Sequence, residues 1–141
     1  MRPPSTTLTY RWFQQVWNNG RREAIDALAN TDLIVHGLAT EAQPHGINGL
    51  EGFKLFYDDF RRQYENIHVH VENVICEENM ESARCIVTAR HRESGRDVNF
   101  AGMTQIKIRD EKIAEAWNNF DFLGLQFQLG YTLTDTAHAV H

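Results

Sequence analysis

Lys112-Ile113-Ala114-Glu115-Ala116-Trp117-Asn118-Asn119-Phe120-Asp121-Phe122-Leu123-Gly124-Leu125 is the stretch on which the fold turns. It alternates as a strand and then runs into a short apolar segment. Side chains on a strand alternate faces with period two. Unbroken alternation puts Ile113, Glu115, Trp117, Asn119 and Asp121 on one face. Two readings of Asp121 follow. A carboxylate among apolar neighbours has its pKa raised, which suits it to act as a general base. An aspartate before the apolar run Phe122 to Leu129 is equally suited to cap a helix N-terminus. The residues alone leave both open.

Three further segments upstream alternate in the same way. Ile67, Val69 and Val71 share a face, with His68, His70 and Glu72 on the other. Ala83 to Arg90 and Asp97 to Arg109 continue the pattern. Arg92-Glu93-Ser94-Gly95 and Arg109-Asp110-Glu111 read as the turns between strands. Before the strands the period is helical. Leu8, Trp12, Phe13, Val16 and Trp17 recur at helical spacing and stop at Asn19-Gly20. Ala24, Ile25, Leu28 and Ala29 make a second short helix, and Leu33 to His36 a short strand ending at Gly37. Phe53, Phe56, Tyr57, Phe60 and Tyr64 stripe a third helix. Helices first and sequential hairpin strands afterwards predict an α+β fold, with an antiparallel sheet packed on the helices. A curved sheet over helices leaves a cavity in which small ligands bind.

The chain has 141 residues, which predicts one domain, with an ordered core over about 6–131. Its net charge of -5 argues against nucleic-acid binding, which needs a basic patch. No apolar run approaches the ~20 residues of a membrane span. Met1 to Thr6 carries no apolar signal core, so cytoplasm is the expected location. Cys76 and Cys85 flank a turn-like stretch and are expected to be free thiols, facing each other across a hairpin. No Cys-x-x-Cys pair signals zinc. His68 and His70 share a strand face, but no third ligand follows at useful spacing, so no metal site is expected.

Four stretches carry a resemblance. They are Arg11-Trp12-Phe13-Gln14-Gln15-Val16-Trp17-Asn18-Asn19-Gly20, Gly49-Leu50-Glu51-Gly52-Phe53, Ile113 to Asp121, and Leu123-Gly124-Leu125-Gln126-Phe127-Gln128-Leu129-Gly130. With them the chain resembles the SnoaL-like polyketide cyclase family of the nuclear transport factor two-like superfamily, over about residues 8–130. The resemblance implies a cone-shaped curved sheet, a homodimer through its open face, and no cofactor. In the cyclases of that family an aspartate near the end of the last strand is the general base. It removes a proton from an activated carbon, and the carbanion closes a ring. Asp121 matches that aspartate by its place after Trp117 and before the Leu-Gly-Leu word. His36, at a strand end where such cyclases often carry histidine, is the second candidate. It would polarise or orient a substrate, together with Asn119 or Trp117.

Other branches of the superfamily fit less well. The limonene-epoxide hydrolases set an arginine between two aspartates. Arg90 suggests that arginine, but the partner acid's place holds Arg92. Ketosteroid isomerases use a tyrosine donor on the first helix, where this chain has Phe13. His91 lies in a charged and shortened hairpin, which makes it an exposed tip. Trp17, Tyr57 and Phe100 are the expected aromatic wall of the cavity, joined by Trp117, Asn119 and Arg90. Such a wall suits a small apolar or aromatic ligand. Two functions therefore stand at this stage: a cofactor-free cyclase or isomerase acting on an apolar carbonyl compound, and a ligand-binding or structural dimer without catalysis.

Overall fold

In a computed structural model, which describes residues 3–132, the chain forms a six-stranded curved, unclosed sheet with helices on its concave side. After a 3-10 turn at Pro4–Thr6 come α1 (Leu8–Trp12), a widened helical turn over Phe13–Asn18, and α2 (Ala24–Leu28). Strand β1 (Ala29–His36) and the short β2 (Ile47–Asn48) precede α3 (Leu50–Gln63). Then follow β3 (Tyr64–Glu77), β4 (Met80–His91), β5 (Asp97–Arg109), β6 (Lys112–Phe120) and α4 (Phe122–Gln128). The sheet order is β2-β1-β6-β5-β4-β3. The strands β3 to β6 pair antiparallel through short turns, as the alternation predicts. Strand β1 is added parallel to β6, which needs the long connection supplied by β2 and the helices.

The core lies between the sheet and the helices. Trp12, Trp17, Phe53 and Tyr57 meet there as tilted and edge-on aromatic pairs, with ring centroids 4.8–6.5 Å apart. In the widened turn Asn19 N–H donates to Gln14 O, a five-residue step. Asn18, at the end of this turn, uses both ends of its amide on edge strand β3. Val69 N–H donates to Asn18 Oδ1 at 2.6 Å and Asn18 Nδ2 donates to Val69 O at 2.9 Å. A side chain thus covers part of an edge that would otherwise be free to pair with another strand.

The other end of the helical layer is fixed by a charge. Glu81 is 3% exposed, and its carboxylate accepts from Leu8 N–H, Thr9 N–H and the Thr9 hydroxyl at 2.7–3.2 Å. An anion at the first turn of α1 satisfies donors that the helix itself leaves unpaired.

The expected cysteine geometry needs correcting. Cys76 stands opposite Glu81, and Cys85 opposite Val71, so the two do not face each other across the β3–β4 hairpin. Both are free. Burial pushes the Cys85 thiol up to about 12.

Glu81→Ala is expected to leave the Leu8 and Thr9 amides without a partner, at about 1–3 kcal/mol for each buried group. A urea titration should show a midpoint clearly below that of the wild type. An unchanged midpoint would show that the carboxylate does not hold α1.

Candidate functional site

The curvature of the sheet opens a cavity of about 80 Å³ against the helices. Thr9, Trp12, Phe13 and Trp17 reach it from the N-terminal helical segment, and Phe53, Phe56 and Phe60 from α3. The sheet floor supplies aliphatic side chains, among them Val35, Val69, Val87 and Ile106. Phe100, Phe120 and Phe122 close one end with rings 5.7–6.2 Å apart. Leu38, Phe56, Phe60, Phe120 and Phe122 are only half-buried. They gather where β1, β4 and β6 end and β3 and β5 begin, which marks this end as the mouth.

Among the described residues, the polar side chains that line this cavity are Thr9, Thr104 and Asn118. No acid, base, thiol or phenol lines it among the described residues. Thr104 and Asn118 stand opposite each other on β5 and β6. Asn118 Nδ2 donates to the His36 carbonyl at 3.1 Å, and the Thr104 hydroxyl donates to Asn118 Oδ1 at 2.9 Å. The carbonyl of His36 only accepts, so it fixes which end of the amide points toward β1. The amide oxygen is left for Thr104.

Sequence alternation misplaces the inward face of β6. The pairing of β5 with β6 slips between Lys107, opposite Glu115, and Ile108, opposite Ile113. Ala114 is the extra residue, and a residue of this kind reverses the alternation beyond it. Ile113, Ala116, Asn118 and Phe120 therefore line the cavity, while Glu115, Trp117 and Asn119 are absent from its wall and lie on the outer face.

The expected site residues are consequently dispersed. Trp17 and Phe100 line the cavity. Tyr57 is buried behind it, its hydroxyl donating to Val16 O at 2.8 Å, and burial raises its pKa. Trp117 stacks on the His36 ring at 5.4 Å on the outer face, and His36 Nε2 meets Glu115 Oε2 at 2.7 Å. The imidazole thus points away from the cavity, although the His36 carbonyl is held by Asn118. Asn119 is exposed. Arg90 is exposed and lies 3.6 Å from Glu65. His91 is the last residue of β4 and is half-buried rather than an exposed tip, its ring 5.3 Å from that of Tyr64 and its Nδ1 within 2.8 Å of Ser94 Oγ.

Asp121 caps α4. Its carboxylate accepts from Gly124 N–H at 2.8 Å, and the residue is exposed. It does not line the cavity, although Phe120 and Phe122 on either side do. Of the two readings of Asp121, the structure shows the cap.

The residues that sequence reasoning missed are Thr9, Thr104 and Asn118. Thr104 was within reach, because it alternates with Phe100 and Ile106 along β5. Nothing in the sequence announces the extra residue at Ala114, so Asn118 was not.

No protein with a curated description matches the chain. Among solved structures it is similar to IdmH of Streptomyces antibioticus, a proposed polyketide cyclase, with TM-score 0.79 and 19% identity over 92% of this chain and 100% of that one. A proposed polyketide cyclase of Bacillus cereus ATCC 10987 gives TM-score 0.74 and 27% identity over 87% of this chain and 78% of that one. A protein of Catenulispora acidiphila DSM 44928 with a ketosteroid isomerase-like fold, solved with trimethylamine, gives TM-score 0.75 and 14% identity over 89% and 93%. At these identities the shared property is the fold. The family model for SnoaL-like polyketide cyclases matches residues 7–129, and the chain belongs to that family.

Proposed function

We propose that this chain binds one small, largely apolar ligand in the cavity between sheet and helices. The observation that carries the proposal is the wall itself: among the described residues it is aromatic and aliphatic, with the neutral polar side chains of Thr9, Thr104 and Asn118 and no titratable group. A wall of this kind takes up apolar surface and orients it with a few hydrogen bonds. It offers neither a proton acceptor nor a counter-ion. The volume of about 80 Å³ is well below the ~300 Å³ at which drug-sized sites begin. The ligand that fits this volume is small, of the order of a single ring, and its entry uses the half-buried mouth. A multi-ring polyketide requires the half-buried Phe56, Phe60 and Phe122 at the mouth to turn aside.

Toluene tests this directly. Titration followed by Trp12 and Trp17 fluorescence should give a dissociation constant of about 0.1–1 mM, as expected for seven heavy atoms in an apolar site. Ala116→Leu, which pushes a branched side chain into the cavity, should weaken binding at least about tenfold. Absence of binding to the wild type by both toluene and its hydroxyl counterpart phenol would refute the proposal.

A second reading, cofactor-free cyclase or isomerase chemistry on an activated carbonyl compound, keeps Asp121 as the base and His36 as a helper. Its support is family membership and the position of Asp121 between two residues of the cavity wall. It requires the carboxylate to leave Gly124 N–H and turn inward. Asparagine caps helices about as well as aspartate. Asp121→Asn should therefore keep the fold while lowering any turnover by about two to four orders of magnitude. Equal turnover by both proteins would remove Asp121 from the chemistry.

We also infer a homodimer through the outer face of the sheet. Ile34, Ile75 and Met103 lie there 39%, 61% and 51% exposed, beside Trp117. Exposed apolar side chains set among the polar ones of this face invite association. The wild type should sediment as a dimer at about 10–50 µM, and Met103→Glu should shift it toward monomer. A monomeric wild type would exclude this interface. A cytoplasmic setting, with two free cysteines and a small-molecule ligand, belongs to the same reading. Among the described residues no helix is long and apolar enough to cross a membrane.

A further inference from the structure

We propose that the Thr104–Asn118 pair makes the cavity selective for a ring bearing a hydroxyl group, such as a small phenol or cyclic alcohol. The disfavoured ligands are the ketone and the hydrocarbon of the same shape. The inference rests on the ligand-binding reading above and adds to it the class of ligand.

The His36 carbonyl accepts from Asn118 Nδ2, which turns Oδ1 toward Thr104. Asn118 Oδ1 is an acceptor, so the Thr104 hydroxyl spends its single proton there. What Thr104 still presents is lone pairs. The second proton on Asn118 Nδ2 has no partner among the described residues, so the amide still presents a donor. The pair therefore offers one donor and one acceptor side by side. Thr9 reinforces the bias, because its hydroxyl proton is committed to Glu81 and it too has only lone pairs left.

A hydroxyl group matches this arrangement. Its oxygen accepts from Asn118 Nδ2 and its proton goes to Thr104 Oγ1. A ketone oxygen accepts the Asn118 proton but sets its own lone pairs against those of Thr104. A methyl group satisfies neither, and leaves polar groups dry in an apolar chamber, where an unmade hydrogen bond costs most. With no cation in the wall among the described residues, the ligand enters as the neutral alcohol or phenol, not the anion.

Two matched pairs test this by calorimetry on the intact chain at neutral pH: phenol against toluene, and cyclohexanol against cyclohexanone. In each pair the hydroxyl compound should bind at least about tenfold more tightly, the ordinary worth of one satisfied group over one left unpaired. Thr104→Val, which keeps the shape but removes the acceptor, should reduce the preference to less than about threefold. Thr104→Ser, which restores the hydroxyl, should recover it. Toluene or cyclohexanone binding as tightly as its hydroxyl partner would overturn this inference and leave the ligand-binding reading intact. No binding by any of the four would overturn both. If Thr104→Val does not fold, the two wild-type comparisons still decide the matter.

Discussion

The structure depends on the place of β6 in the middle of the sheet. One edge of β6 pairs parallel with β1 and the other antiparallel with β5, so every side chain it turns inward meets the cavity. One extra residue at Ala114 decides which side chains those are. Without it, Glu115 and Trp117 would take the inward positions, and the chamber would hold a carboxylate and an indole where it now has Ala116 and Asn118. The close approach of β1 follows from the same geometry. Gly37 has φ of +82°, and a Cβ there would lie 1.8 Å from Asn118 O. Only a residue without a side chain lets the chain leave β1 so close to β6.

Polar contacts fix the N-terminal helical segment to this sheet at either end. Buried Glu81 holds the first turn of α1 at the closed end, and the Asn18 amide holds the end of the widened turn to β3. Between these points the layer contributes only apolar surface and Thr9 to the cavity. At the mouth, Gln128 plays the part that Asn18 plays on β3. Its amide accepts from Asn99 N–H at 2.9 Å and donates to Asn99 O at 2.6 Å, which ties the end of α4 to β5. Asp121 caps the start of the same helix. Phe122 is thus held over the cavity by a helix secured at both ends.

The fold was legible because its signals are periodic and redundant. Four long alternating segments with turn residues between them admit little besides an antiparallel meander, and the stripe from Phe53 to Phe60 needs a sheet to cover it. The parallel addition of β1 left no such signal, since parallel pairing is set by a distant strand. The site was less legible for a related reason. Pocket residues were read by extending period two through β6, and a single bulge is enough to reverse that reading. Phe100 lies on a strand without such a defect before it and was placed on the wall, as was Trp17. Asp121 carried two meanings in the sequence, base and cap. A local hydrogen bond to Gly124 N–H needs only the next turn of chain, whereas a buried carboxylate needs compensation from distant groups that this cavity lacks.

The same electrostatics explain why position 118 carries an amide. The group there must donate to the His36 carbonyl and accept from Thr104, and one neutral side chain does both. A carboxylate at this position would face the His36 carbonyl with lone pairs against lone pairs. No cation in the wall would offset its desolvation, so it would have to take up a proton to stay. Asparagine keeps the chamber polar at one point without charge. A site built this way distinguishes ligands by where their protons are, and it leaves proton abstraction to a group brought in from the mouth.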